Sequence, residues 1–287
     1  MLEKYLPRID FDSYEDFKQN YKVNIPNDFN FAFDIVDEWA NQDREKVALV
    51  WCNDYDEERT FTFEQMRVYS NQAANFFVSH GVKKGDVVML VLRRRYEYWI
   101  CALALCKIGA ILIPGSLQLT AKDINYRANA ANIKMVVCVD DDYVLEQMEL
   151  ALPQCPCITA KAIVAGEKAG WLDFTHGIEN QSKEFARPTG DKATKWDDIM
   201  LVYFTSGTTG MPKMVMHDFS HPLGHIVTAN YWQRVQENKL HMSVSDTGWA
   251  KFGWGKIYGQ WICGAVIFGY DMDKFIAKRI AGKNSKI

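Results

Sequence analysis

Long apolar runs are missing from this chain of 287 residues. The stretch near Trp99 to Cys106 is the longest, and it halts at Lys107, far short of the roughly 20 residues a membrane span needs. Excess charge of one sign is missing too. A formal net charge of −3 gives no electrostatic case for nucleic acid, and the short basic run Arg93-Arg94-Arg95 reads as a solvated edge at a strand end. The first residues, Met1-Leu-Glu-Lys-Tyr-Leu-Pro-Arg8, carry no apolar core of a secretory signal, so a cytoplasmic protein is expected. Paired cysteine spacing is also lacking. The count is seven, and Cys101, Cys106, Cys138 and Cys263 sit in apolar segments, where a free thiol packs as a small hydrophobe. Cys155-Pro-Cys157 has no second pair downstream, which argues against zinc, and no metal site is expected from the chain itself. Internal repeats and low-complexity tracts are absent.

What the chain has is a rhythm. Val47–Trp51 and Phe61–Phe63 read as strands around a polar turn at residues 53–58, and Phe63 to His80 as a long amphipathic helix ending at Gly81. Val87–Leu92 then reads as a buried strand, Tyr96–Ile108 as a helix stopped by Gly109, and Ala110–Ile113 as the next strand. A helix opening at Thr120 and running to Asn132, then a strand at Met135–Val139, repeat the cycle. Such alternation predicts an α/β fold of layered parallel and mixed sheets flanked by helices. Asp140-Asp-Asp142 reads as a cluster at a helix N-terminus satisfying free backbone donors. Residues 1–30 read as an N-terminal extension wrapping a larger body, residues 31–287 as one domain, and residues 151–198, punctuated by Pro153, Pro156 and Pro188, as irregular surface.

The chemistry concentrates in Tyr203-Phe-Thr-Ser-Gly-Thr-Thr-Gly-Met-Pro-Lys213, where an apolar strand runs into a hydroxyl-rich glycine loop that closes on a lysine. Gly207 and Gly210 let the backbone bend so that its N–H groups approach an anion. Thr205, Ser206, Thr208 and Thr209 add hydroxyl donors, and Lys213 adds a mobile positive charge. Met211 and Pro212 separate Gly210 from Lys213, which disfavours a P-loop NTPase, whose lysine follows its glycine directly. An ordinary solvated turn is the competing reading of such a cluster.

The full string resembles the phosphate-loop signature of the adenylate-forming superfamily, which comprises acyl-CoA synthetases, luciferases and peptide-synthetase adenylation domains. The likeness extends to Gly81-Val-Lys-Lys-Gly-Asp86, to Ala102–Ala110 with Pro114, and to Lys213-Met-Val-Met-His217. Tyr231-Trp232 and Ser245-Asp-Thr-Gly-Trp249 resemble the branch that includes the medium-chain fatty-acid enzymes, and the matches cover residues of about 30 to 275. The resemblance implies an AMP-forming ligase that uses ATP, Mg²⁺ and coenzyme A to activate a short- or medium-chain fatty acid, with an aryl acid as a close variant. It assigns Thr205 to Gly210 and Lys213 to the β- and γ-phosphates, and Trp249, with His217 and Gln118, to the substrate pocket. Trp254, Tyr258 and Trp261 are expected in the core.

His217, His221 and His225 recur every four residues, but Pro222 and Gly224 argue against one helix carrying all three, so the last two are expected to be structural. The superfamily's aromatic-Gly-x-Thr-Glu block, ribose-binding aspartate, hinge and adenylation lysine find no counterpart here. The expectation is therefore an N-terminal part of a synthetase, inactive alone and with an apolar edge exposed. An adenylation domain serving a carrier protein, or a remnant that binds nucleotide or acyl group without turnover, are the alternatives.

Overall fold

The computed structural model describes residues 1–205, 210–274 and 276. Two sheets organise them. The smaller has the order β10-β11-β1-β2, built from β1 (Val47–Asn53), β2 (Glu58–Thr62), β10 (Leu240–His241) and β11 (Val266–Asp271). The larger has seven strands in the order β7-β6-β5-β3-β4-β8-β9. Its members are β3 (Val87–Val91), β4 (Ile111–Pro114), β5 (Ile133–Val139), β6 (Ala160–Val164), β7 (Leu172–Asp173), β8 (Ile199–Thr205) and β9 (Lys213–Asp218). Every pairing in it is parallel except β8 with β9. The layered α/β architecture expected from the sequence is what forms.

Two short helices, α1 (Tyr14–Asn20) and α2 (Glu38–Gln42), precede β1, and later helices cover both faces of the large sheet. On one side α3 (Phe63–Ser79) and α4 (Glu97–Ile108) pack between the sheets, and on the other lie α5 (Ala121–Ala131) and α6 (Asp142–Ala151). Local chemistry sets their ends. Thr62 and Gln65 form a reciprocal capping box at α3, Thr120 and Asp123 another at α5, and the Asp141 carboxylate caps α6 by accepting from Val144 N. Gly109 ends α4 in the left-handed region at φ 81°, as the sequence suggested. The core between the sheets includes Trp51, Phe63, Phe77, Trp99 and Trp261, all fully buried; each such side chain contributes about 1.5–3 kcal/mol. Tyr5 and Leu6 of the N-terminal extension join the same core.

Two sequence expectations need correction. Residues 151–198 are not merely irregular surface: they contain β6, β7 and α7 (Phe174–Glu179), with Ala162, Ile163 and Val164 fully buried. Arg93, Arg94 and Arg95 are not a solvated edge. All three are largely buried and paired, Arg93 with Asp271 and Asp273, Arg94 with Asp246, and Arg95 with Glu97, so the run clamps the end of β3 to the smaller sheet's end. As the sequence indicated, no one helix carries His217, His221 and His225, because His217 lies on β9. Pro222 occupies the first turn of the short α8 (His221–Gly224), where its missing N–H is no loss, and the helical path resumes as a π-type segment at Val227–Trp232.

Candidate functional site

Strand β3 connects through α4 to β4, and β4 returns through α5 on the opposite face to β5, which lies beyond β3. The chain therefore leaves adjacent strands β3 and β4 toward opposite faces. The crevice at their C-terminal ends is the place where open α/β sheets receive ligands. Strand β8 ends beside it.

Thr205 closes β8, and Lys213 opens β9 directly opposite it in the antiparallel register. The Thr205 hydroxyl lies 3.5 Å from the Lys213 carbonyl. The two feet of the hydroxyl-rich loop are thus held side by side. Its far side is tied to α5 by Tyr126, whose hydroxyl donates to Pro212 O at 2.9 Å. Gly210 has open space where a side chain would begin, and Lys213 is exposed. The candidate residues Ser206, Gly207, Thr208 and Thr209 lie outside the described residues.

A second loop meets this region. Gly248 approaches the backbone of Ser116 so closely that a Cβ built on it would lie 2.6 Å from Ser116 N. That seam sets Trp249 and Gln118 on adjoining loops. Trp249 is 67 % exposed at the start of α9 (Ala250–Lys256), and Gln118, also exposed, donates its N–H to Ser116 Oγ at 3.3 Å. Asp246 organises the loop by accepting from Gly248 N at 3.0 Å and pairing with Arg94 at 3.2 Å. Beside it Thr247 is fully buried, and its hydroxyl and Arg94 Nε are buried without a partner among the described residues. Sequence reasoning missed Arg94, because its partners Asp246 and Met272 are more than 150 residues away.

His217 sits elsewhere. It pairs in register with Leu201, four residues along β9 from Lys213 and on the same face, and is not in contact with the loop's foot. Its ring lies against Tyr203 and, tilted, against His221 at 4.1 Å; His221 in turn reaches His225. The structure therefore brings together the three histidines that the sequence reading separated. Burial lowers all three pKa values, to about 3 for His221 and about 4 for His225, with the neighbouring histidines adding to the effect on those two. Tyr258 packs on both His221 and His225, while Trp261 is fully buried, so both are core residues as expected. Trp254 pairs with Trp232 at 5.9 Å. A separate cavity of about 310 Å³, walled by Phe61, Tyr69, Tyr96 and Phe174, shares no residue with either loop. Among the described residues no helix is long and apolar enough to cross a membrane.

With this geometry in place the class follows: the signature of the AMP-binding enzymes matches residues 36–280, and the chain belongs to that family. More particularly, it is 33 % identical over 288 residues to the mitochondrial acyl-coenzyme A synthetase ACSM3 of Mus musculus, covering 96 % of this chain and 48 % of that one. It is also 33 % identical over 271 residues to the mitochondrial ACSM4 of Homo sapiens, covering 91 % of this chain and 46 % of the other. The chain spans about half the length of the relatives it matches. Among solved structures it shares its fold with the anthranilate CoA ligase AuaEII bound to anthranoyl-AMP. The TM-score is 0.81 at 20 % identity over 92 % of this chain and 49 % of that one. An acyl-CoA synthetase of Brucella canis gives 0.77 at 22 % identity, covering 90 % and 46 %.

Proposed function

We propose that the chain supplies the triphosphate-binding and acyl-contacting part of an AMP-forming acid–thiol ligase for a short- or medium-chain fatty acid. In that reaction a carboxylate oxygen attacks the α-phosphorus of ATP and releases pyrophosphate; the thiol of coenzyme A then displaces AMP to give a thioester. The observation that carries the reading is the register pair Thr205–Lys213, which sets an exposed ammonium beside a hydroxyl foot at the end of β8.

The residues fit an anionic ligand. Open space at Gly210 admits close backbone approach, and the lysine offsets charge as it gathers on the departing pyrophosphate. Mg²⁺ bound with the triphosphate supplies further neutralisation there. Trp249 offers an exposed ring to the acyl chain, with Gln118 across the seam. His217 lies about 13 Å further along β9, and in this reading it faces the acyl end of the substrate. The ACSM relatives, named as acyl-coenzyme A synthetases, support an acyl substrate, and the anthranoyl-AMP carried by AuaEII supports an aryl acid as the second reading. A reducing compartment is part of the proposal, the cytoplasm in the first instance, because Cys101, Cys106, Cys138, Cys155, Cys157 and Cys263 are free thiols; the ACSM relatives are described as mitochondrial. Imaging of a tagged chain tests this.

The decisive experiment titrates ATP into the purified chain and into Lys213→Ala by calorimetry. A charged contact of about 1.5–3 kcal/mol makes the variant bind about 10- to 100-fold more weakly. Unchanged affinity would sink the phosphate assignment and leave a remnant with no use for the lysine. Pyrophosphate release screened across carboxylic acids, with coenzyme A or a phosphopantetheinyl carrier as acceptor, separates a CoA ligase from a carrier-loading domain when measured on the chain joined to the C-terminal half that its relatives carry.

A further inference from the structure

His221 and His225 are one helical turn apart, and their Nε2 atoms lie 3.1 Å from each other. Two nitrogens bonded to one tetrahedral zinc at about 2.0–2.1 Å are separated by about 3.3 Å, so the distance between the two nitrogens stands within a few tenths of an ångström of a chelating pair, and a small rotation of the rings turns both lone pairs to one ion. The surroundings hold the rings in place. Tyr258 lies 5.7 Å from the His221 ring and 6.2 Å, stacked, from the His225 ring, and the His217 ring lies tilted against His221 at 4.1 Å. Pro222 and Leu223 are buried beneath the turn, and exposed Gly224 leaves it open to solvent. A pair fixed this way loses little side-chain freedom on binding an ion.

We propose that His221 and His225 form a two-histidine binding site for a borderline divalent transition metal, Zn²⁺ in the first instance and Ni²⁺ or Cu²⁺ by the same ligand chemistry. Imidazole nitrogen is the donor these ions prefer over Mg²⁺ or Ca²⁺. In the free protein one ring donates its Nε2 proton to the other; on binding, that ring takes the Nδ1–H tautomer, both Nε2 lone pairs bond to the metal, and no proton is released. Among the described residues no third side chain completes the set, so water or an added anion fills the remaining positions. No residue of the phosphate loop takes part in this site.

The test is calorimetric titration of the purified chain with Zn²⁺ in chelator-free buffer, with Co²⁺ absorption as a second readout of ligand type. The expected result is a single saturating site whose Co²⁺ spectrum shows nitrogen ligation without a sulfur charge-transfer band. It should be lost in His225→Gln and in His221→Asn and kept in His176→Gln, which alters an exposed histidine on α7. Melting each variant without metal shows whether it folds, and in the parent Zn²⁺ should raise the melting temperature with concentration. Zn²⁺ binding unaltered in folded His221→Asn, a sulfur band, or loss of binding on thiol alkylation would overturn the proposal.

Discussion

Arg94 Nη1 lies 3.2 Å from Asp246 Oδ2, an ion pair joining the end of β3 to the loop that carries Trp249, 152 residues later in the chain. Arg94 also donates to the Met272 carbonyl, just past β11. One guanidinium fork therefore links two sheets and the candidate acyl loop. Arg94→Leu should lower stability in urea by about 1–3 kcal/mol, since it strips a partner from a mostly buried carboxylate. Arg94→Lys should recover only part, because an ammonium cannot span both acceptors as the planar fork does. An unchanged unfolding midpoint in Arg94→Leu would show that the pair contributes nothing.

The Gly248–Ser116 seam makes a sharper claim. A methyl at position 248 meets backbone on the other loop and not the end of a flexible side chain, so one loop must move. Gly248→Ala should cost about 1–3 kcal/mol and change acyl-substrate affinity more than ATP affinity. Equal loss of both affinities would place the seam's influence elsewhere.

Lys107 is fully buried against Asp37 at 2.9 Å and Asn71 at 2.7 Å. Lys107→Ala strands the Asp37 carboxylate, and the expected loss is about 3–5 kcal/mol by denaturant titration. Replacing both, with Lys107→Met and Asp37→Leu together, should restore most of it. Failure of the double variant to recover would mean the pair's hydrogen bonds to Asn71 carry more than the charges do.

Lys256 gives a pH prediction. Burial, helped by the Arg94 charge, lowers its pKa from 10.5 to about 7. Between those values the unfolded chain holds a proton that the folded chain does not, so this residue's contribution makes stability rise as pH rises from about 7 toward 10.5. Buried cysteines and tyrosines with raised pKa values act in the opposite sense, so the comparison must be with Lys256→Met. The variant should melt above the parent near neutrality, and the gap should narrow with rising pH. A pH-independent gap would contradict the assignment.

Where the sequence was legible, the signal was local. The strand–helix–strand from β3 to β4 could be read because an unbroken apolar run, a helix and a helix-ending glycine follow in order, and Thr120 with Asp123 spelled out the start of α5. Strand β6 escaped notice: Ala160-Lys-Ala-Ile-Val164 is short, holds a lysine and sits among prolines, so only its neighbour β5 reveals it. The arginine run was misread for a related reason. Its acidic partners near positions 246 and 271 are set by the meeting of two sheets, which no short window of sequence contains. The histidine cluster was half legible: the four-residue spacing was visible, but the packing of His217 on β9 against His221 on α8 comes from a strand-to-helix turn that spacing alone does not show.

Strand β9 is the last strand of its sheet among the described residues, and Met214, Val215 and Met216 all lie exposed along it. Such a margin offers backbone hydrogen-bonding groups flanked by greasy side chains, an invitation to any other extended peptide. In the test tube this means that concentration, more than temperature, will govern how long the polypeptide stays dispersed. A charged residue introduced at Met216 is the simplest remedy for anyone who needs it in quantity.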